Sequence, residues 1–153
     1  MKFCPGNSLW YLVGMAGKNR TRVSVATVVI AHLIVNLLHG NAHRSLSVGL
    51  SEFQQVYVVT VILLAPLVAL AVCFTRYIRA GLWLLLVSMA GSLIFGACYH
   101  YVIISPDHVA HLPVGDAREL FRTTALLLLI TEALGVVVAG FALLRRRANE
   151  EGA

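Results

Sequence analysis

The chain has 153 residues, of which 59% are hydrophobic and 12% are charged. Its mean hydropathy of +0.82 is too high for a soluble domain of this length. The formal net charge of +5 does not indicate nucleic-acid binding, because the basic residues stand in small groups beside apolar stretches, where they act as topology signals. The composition therefore predicts an integral membrane protein that contacts the lipid bilayer and no nucleic acid.

Four apolar stretches approach or exceed the roughly 20 residues that cross a bilayer as a helix. In chain order they are residues 23–42, 53–74, 82–104 and 123–144. Two of the three connections are short, so the sequence predicts an all-α, antiparallel bundle of four transmembrane helices, a single domain over residues 23–144. Residues 1–22 are expected to form an N-terminal segment, with an interfacial position as one interpretation, and residues 145–153 a charged tail.

The basic residues predict the orientation of this bundle. Of the twelve lysines and arginines, nine lie on one predicted side of the membrane: Lys2, Lys18, Arg20, Arg22, Arg76, Arg79, Arg145, Arg146 and Arg147. The positive-inside rule then places both termini in the cytoplasm and the first and third connections outside. We expect the plasma membrane, the inner membrane of a bacterium.

The first span carries a polar stripe. His32, Asn36, His39 and His43 fall within about 60° of one another on an ideal helix, and such a stripe must face other helices and not lipid. His39 and His43 are one turn apart, the spacing at which two imidazoles can bind one metal ion. His32 lies ~10.5 Å deeper along the helix, too far to share that ion.

The second and third spans contain packing signals. Pro66 removes a backbone donor and predicts a kink or a free carbonyl in the second span. Ser88, Ser92 and Gly96 follow one another at four-residue spacing in the third span, which predicts close approach of a neighbouring helix. A flat cofactor would use the same room.

The end of the third span and the loop after it supply further ligands. Helices 1 and 3 run in the same direction, so His100 lies at the level of His39 and His43. The loop 105–122 adds Asp107 and two histidines, and its prolines predict a cap over the site. The predicted metal ligands are therefore His39, His43, His100, His108 and His111. Glu52 and Glu119 are the candidates for a general base.

The fourth span carries an ionisable residue in its interior. Glu132 lies at about the same depth as His32, so the two side chains are expected to pair. An ionisable pair in the membrane predicts a proton step or a buried ligand contact. A neutral hydrogen-bonded pair that holds helices 1 and 4 together is an equal interpretation.

Three function classes fit these residues. The first is a membrane metalloprotein whose outer His/carboxylate site holds zinc, iron or copper, and which is an enzyme or oxidoreductase if the metal activates water or oxygen. The second is a b-type haem electron-transfer protein with His39 or His43 and His100 as axial ligands and Arg44 or Arg118 at the propionates. The third is a small transport or accessory subunit that passes metal ions or protons inward through His32 and Glu132. Whatever its class, the protein is expected to contact the lipid bilayer and either a second copy of itself or a membrane partner subunit. Clustering of the histidines at one end favours the first class, and nothing in the sequence distinguishes storage from catalysis.

Overall fold

The computed structural model describes the backbone of residues 7–152 and the side chains from residue 19 onward. The described residues form helices and connections, without strands. In chain order the helices are α1 (Asn7–Ser45), α2 (Glu52–Tyr57), a π-helical segment (Val58–Leu64), α3 (Ala65–Cys73), α4 (Ile78–Ala97), a second π-helical segment (Cys98–Val102) and α5 (Arg118–Glu151). The predicted all-helical class is confirmed for this part of the chain.

Four helices are long and apolar enough to cross a membrane, as predicted. They are Asn19–Ser45, Glu52–Cys73, Ile78–Val102 and Arg118–Glu151, called the first to fourth spans below. The helices extend beyond the predicted apolar stretches at both ends of the chain. Most of the expected N-terminal segment 1–22 belongs to α1, although residues 1–6 lie outside the described residues, as do the side chains on which its interfacial position would depend.

The expected tail 145–153 is also mostly helical, because α5 continues to Glu151. Arginine has a high helix propensity, so a run of arginines ends the apolar pattern without ending the helix. Two ion pairs support this last part of α5. Arg147 Nε lies 2.8 Å from Glu151 Oε1, and Arg79 Nη1 lies 2.9 Å from Glu150 Oε2.

Pro66 accounts for the interruption of the second span. Proline has no N–H and cannot donate to the carbonyl four residues earlier, which is that of Ile62. The chain passes through the π-helical segment Val58–Leu64 just before this proline. Nε2 of His32 lies 3.2 Å from the oxygen of Ile62, but Nδ2 of Asn36 donates to the same nitrogen at 2.9 Å, so the ring packs beside this carbonyl without donating to it. A histidine of the first span thus lies against the interrupted part of the second span.

Two glycines allow close contact between helices. A Cβ at Gly81 would lie 2.8 Å from the backbone nitrogen of Cys73, and one at Gly135 would lie 2.6 Å from Cγ of Met89. α4 packs against both α3 and α5, and α5 packs against α1. A buried apolar cluster fills the space between these helices, including Val25, Val29, Leu82, Leu85 and Met89.

The two ends of the helices differ in composition. At the arginine end, Arg22 Nε donates to the backbone oxygen of Cys73 at 3.1 Å and Arg79 pairs with Glu150. At the histidine end, the connections fold over the helices through a second apolar cluster that contains Leu46, Val48, Leu112 and Phe121. The loop between the third and fourth spans is thus held by packing at the end where the sequence predicts the site.

Candidate metal site

Three buried histidines converge at the histidine end. His39 and His43 extend from consecutive turns of α1, and His100 extends from the π-helical segment Cys98–Val102. One ligand nitrogen from each residue lies within 4.8 Å of the others. The structure therefore brings together three of the five predicted ligands, and we call them the histidine cluster.

The ring positions are compatible with a shared ion. Imidazoles that bind one tetrahedral ion place their ring centroids about 5 Å apart, given metal–nitrogen bonds of about 2 Å. The centroid of His39 lies 4.8 Å from that of His43 and 4.9 Å from that of His100. The centroids of His43 and His100 are 6.2 Å apart, which corresponds to an angle at the metal well above the tetrahedral one, so these two rings must approach each other to form a tetrahedral site.

Thr124 fixes the ring of His39. Its Oγ1 lies 2.9 Å from Nδ1 of His39 and donates to the backbone oxygen of Leu120 at 2.7 Å. Because the hydroxyl proton is used in that second bond, Thr124 accepts from the Nδ1–H of His39. The lone pair of His39 is then on Nε2, which is buried and has no hydrogen-bond partner among the described residues.

Backbone carbonyls fix the other two rings. Nδ1 of His43 donates to the oxygen of Val48 at 3.3 Å, and Nδ1 of His100 donates to the oxygen of Asp107 at 3.0 Å. The first carbonyl is placed by the end of α1, where Ser47 has a φ of 54° and the N–H of Val48 bonds to the oxygen of His43. This is a Schellman motif. All three rings are thus anchored through Nδ1, an arrangement that leaves Nε2 of each as the atom that could bind a metal.

Asp107 joins the cluster to the second span. Its buried carboxylate accepts from Gln54 Nε2 at 3.2 Å through Oδ2, and its Oδ1 lies 3.8 Å from Nδ1 of His43. Desolvation by burial raises the pKa of Asp107, while His43 and the bond from Gln54 act in the opposite direction. Since its contacts are on the Nδ1 side of the rings, Asp107 orients the histidines and does not complete the cluster.

A cavity of about 730 Å³ adjoins the cluster. His39, His43 and His100 line one part of it, and Asn36 and Glu132 line another. Glu132 is 1% exposed, and its Oε2 has no hydrogen-bond partner among the described residues. A Cβ at Gly96 would lie 3.6 Å from Oε2 of Glu132 and 4.0 Å from Cδ2 of His100, so no side chain of the third span separates the carboxyl from the cluster there.

The other predicted ligands and bases lie elsewhere. His108 and His111 contact each other with ring centroids 5.0 Å apart, and His111 is exposed. Glu52 is exposed in the first turn of α2, and Glu119 is exposed and pairs with Arg122 at 3.0 Å. Neither glutamate lines the cavity, whereas Arg44 is exposed and lines it.

His32 and Glu132 are both buried, but the contacts of His32 go to other groups. Its Nδ1 lies 3.4 Å from Oγ1 of Thr131, and its Nε2 accepts from Nδ2 of Asn36 at 2.9 Å. Among the described residues, no hydrogen bond or ion pair joins His32 to Glu132. The glutamate therefore faces the cavity without the predicted partner.

Two residues of the site were not predicted from the sequence. Thr124 anchors His39, and Phe121 forms a wall with ring centroids 4.5 Å from His39, 4.7 Å from His43 and 5.5 Å from His100. The only signal for them is their position at the start of the fourth span, at the level of the histidines. Comparisons with protein-family models, with curated proteins and with solved structures found no match for this chain.

Proposed function

We propose that this protein is an integral membrane metalloprotein that binds a divalent transition metal through Nε2 of His39, His43 and His100. The observation that carries this proposal is the common anchoring of the three rings through Nδ1. Metal-binding histidines in proteins almost always donate their second ring N–H to a carbonyl, carboxylate or water. Here Thr124 and two backbone carbonyls hold the three rings in that way. Zinc, iron and copper are the ions that imidazole favours.

Two features support membrane insertion as an antiparallel bundle. The outward faces of the four spans carry exposed large apolar side chains, including Ile34, Val59, Val87 and Leu134. A soluble monomer rarely exposes so much contiguous apolar surface. The arginine end holds most of the basic residues, and the positive-inside rule assigns that end and both termini to the cytoplasm. The metal then lies on the outer side of a plasma membrane.

The cavity beside the cluster favours catalysis over storage. Structural zinc sites have four protein ligands, whereas catalytic sites have three and keep one position for water or substrate. The cluster has three histidines, and they line a cavity of about 730 Å³. A metal in this position would polarise a substrate oxygen or activate a water molecule. We therefore propose a metal-dependent membrane enzyme.

The same geometry speaks against the two other function classes. Axial imidazoles on opposite faces of a haem iron place their ring centroids about 6.5 Å apart, given metal–nitrogen bonds of about 2 Å. His43 and His100 approach that distance at 6.2 Å, but the ring of His39 lies 4.8 and 4.9 Å from them, where the porphyrin would have to pass. Transport needs a polar path, whereas an apolar cluster with Val25, Leu85 and Met89 fills the space towards the arginine end.

Metal analysis of the purified, detergent-solubilised protein tests the proposal. We expect one equivalent of zinc, iron or copper per chain in the wild type, no Soret band, and a loss of at least tenfold in metal content for His39→Ala. His111→Ala is the matched control, because this exposed loop histidine should leave the metal content unchanged. A Soret band, or equal metal content in wild type and His39→Ala, would overturn the proposal.

A further inference from the structure

The cavity beside the histidine cluster is lined by residues of both the first and the second span. α1 packs against α3, the part of the second span near the arginine end, and makes little contact with α2 or the π-helical segment Val58–Leu64. Leu37 on one side and Val58 and Leu63 on the other line the cavity at this gap. Leu37 is 63% exposed. In a bilayer, the gap faces the hydrocarbon of the outer leaflet, so apolar molecules can enter the cavity sideways.

Glu132 is the buried carboxyl of this cavity for which no hydrogen bond is found among the described residues, whereas Asp107 accepts one from Gln54 through Oδ2. A buried carboxyl without a hydrogen-bond partner is unfavourable compared with a hydrogen-bonded one. Intramembrane carboxyl groups are accordingly rare and face functional cavities. Oε2 of Glu132 has no partner among the described residues, and the side chain lines the cavity together with Asn36. A donor supplied by a ligand would satisfy it.

The charges of the cavity restrict the chemistry of that ligand. Its ionisable carboxyl groups are those of Asp107 and Glu132, and its only lining arginine or lysine among the described residues is Arg44, which is exposed at the surface. Apart from the proposed metal, an anionic head group would meet two carboxyl groups and no buried cation, whereas a cationic head group would be repelled by the metal. A neutral head with a hydroxyl or amine donor is complementary both to the metal and to Glu132.

We propose that the metal site acts on a lipid-soluble alcohol or amine that enters from the outer leaflet through the gap between the first and second spans. The hydroxyl or amine lies between the histidine cluster and Glu132 and donates to the glutamate. The apolar body fills the part of the cavity lined by Leu37, Val58 and Leu63. A cavity of about 730 Å³ is in the range that holds molecules of drug size. A reaction of this ligand depends on the proposed metal function, whereas binding of the ligand depends only on the cavity and Glu132.

Photolabelling with two matched probes tests the proposal. The first probe is an eight-carbon alcohol that carries a diazirine, and the second is the same diazirine alkane without the hydroxyl. In wild-type protein purified in detergent, we expect the alcohol to label cavity residues at least threefold more than the alkane does, as found by peptide mass spectrometry. Excess 1-octanol should suppress this labelling.

Two pairs of variants separate the elements of the proposal. Glu132→Leu should lower alcohol labelling about threefold to tenfold, the effect of one lost hydrogen bond, while Glu132→Gln keeps an acceptor and retains most of it. Leu37→Trp should block the gap and lower labelling by both probes. Leu38→Trp is its control, because Leu38 is exposed on the same helix but does not line the cavity.

Metal content measured on the same samples distinguishes the two proposals. Labelling of the cavity in a wild-type protein that holds no metal would overturn the metal function and leave the ligand site in place. A metal-loaded protein whose labelling lies outside the cavity, or is the same for both probes and unaffected by Glu132→Leu, would overturn the ligand site and leave the metal function in place.

Discussion

Thr124→Val tests the anchoring of the histidine cluster without removing a ligand. Valine has nearly the shape of threonine, so the substitution removes the hydroxyl and little else. Oγ1 of Thr124 accepts from Nδ1 of His39 at 2.9 Å and is itself held by the backbone oxygen of Leu120. In the variant, the N–H of His39 loses its buried acceptor, and the ring is free to take the tautomer with the proton on Nε2. That tautomer cannot bind a metal through Nε2.

The expected effect follows from this loss. Removing a partner that orients a metal-binding histidine lowers metal affinity about 10- to 100-fold, which corresponds to about 1.4 to 2.8 kcal/mol. We expect the upper part of this range, because Thr124 is 2% exposed and water cannot easily replace its hydroxyl. The other two rings keep their carbonyl acceptors, so binding should weaken and not disappear.

Thr131→Val is the matched control. Oγ1 of Thr131 lies 3.4 Å from Nδ1 of His32 and donates to the backbone oxygen of Leu127, so it has the same chemistry beside a histidine outside the cluster. Zinc affinity of both variants can be measured in detergent by competition with a chelating dye. Equal weakening in the two variants, or none in Thr124→Val, would refute the assignment of Nε2 of His39 as a ligand.

Three other predictions concern stability, topology and the loop. Gly81→Ala should destabilise the protein by about 1–3 kcal/mol, because a Cβ there would lie 2.8 Å from a backbone nitrogen of Cys73; Gly140→Ala, with no atom within 4 Å, should have no such effect in thermal unfolding. In a variant without its native cysteines, a cysteine at Val114 should react with an impermeant maleimide added outside intact cells and one at Arg79 should not; the reverse result would invert the proposed orientation. Asp107→Ala should increase protease cleavage of the loop 105–117 in metal-loaded protein, since the carboxylate bonds to Gln54 at 3.2 Å; unchanged cleavage would mean that apolar packing alone holds the loop.

The spans and the core of the site were predictable because they depend on spacing. Two histidines one turn apart at the end of a span must lie on the same face of the helix, whatever surrounds them. Helices with short connections alternate in direction, which places the end of the third span, with His100, at the level of His39 and His43. These two rules predicted the histidine cluster, in which one ligand nitrogen of each residue lies within 4.8 Å of the others.

The loop was not predictable in the same way. His108 and His111 were expected to bind the metal, but they lie outside the histidine cluster, and His111 is exposed. The loop residue buried beside the cluster is Asp107. The conformation depends on contacts with other elements: Leu112 packs with Leu46 and Phe121, and the N–H of Val109 bonds to the oxygen of His100 at 3.0 Å. The periodicity and spacing of a sequence hold no information about such contacts. The same reason hides Thr124, whose role depends on how the fourth span is rotated against the first.

The polar stripe of the first span divides into two parts with different roles. His39 and His43 have anchored Nδ1 atoms and belong to the cluster, whereas the two ring nitrogens of His32 contact Thr131 and Asn36. His32 therefore has hydrogen-bond partners of its own, and it does not need Glu132 as a partner. This leaves the glutamate as the buried ionisable group of the cavity for which the helices offer no hydrogen bond. The absence of a hydrogen bond between His32 and Glu132 among the described residues therefore supports the proposal that Glu132 binds a molecule in the cavity. It does not support a role for Glu132 in helix packing.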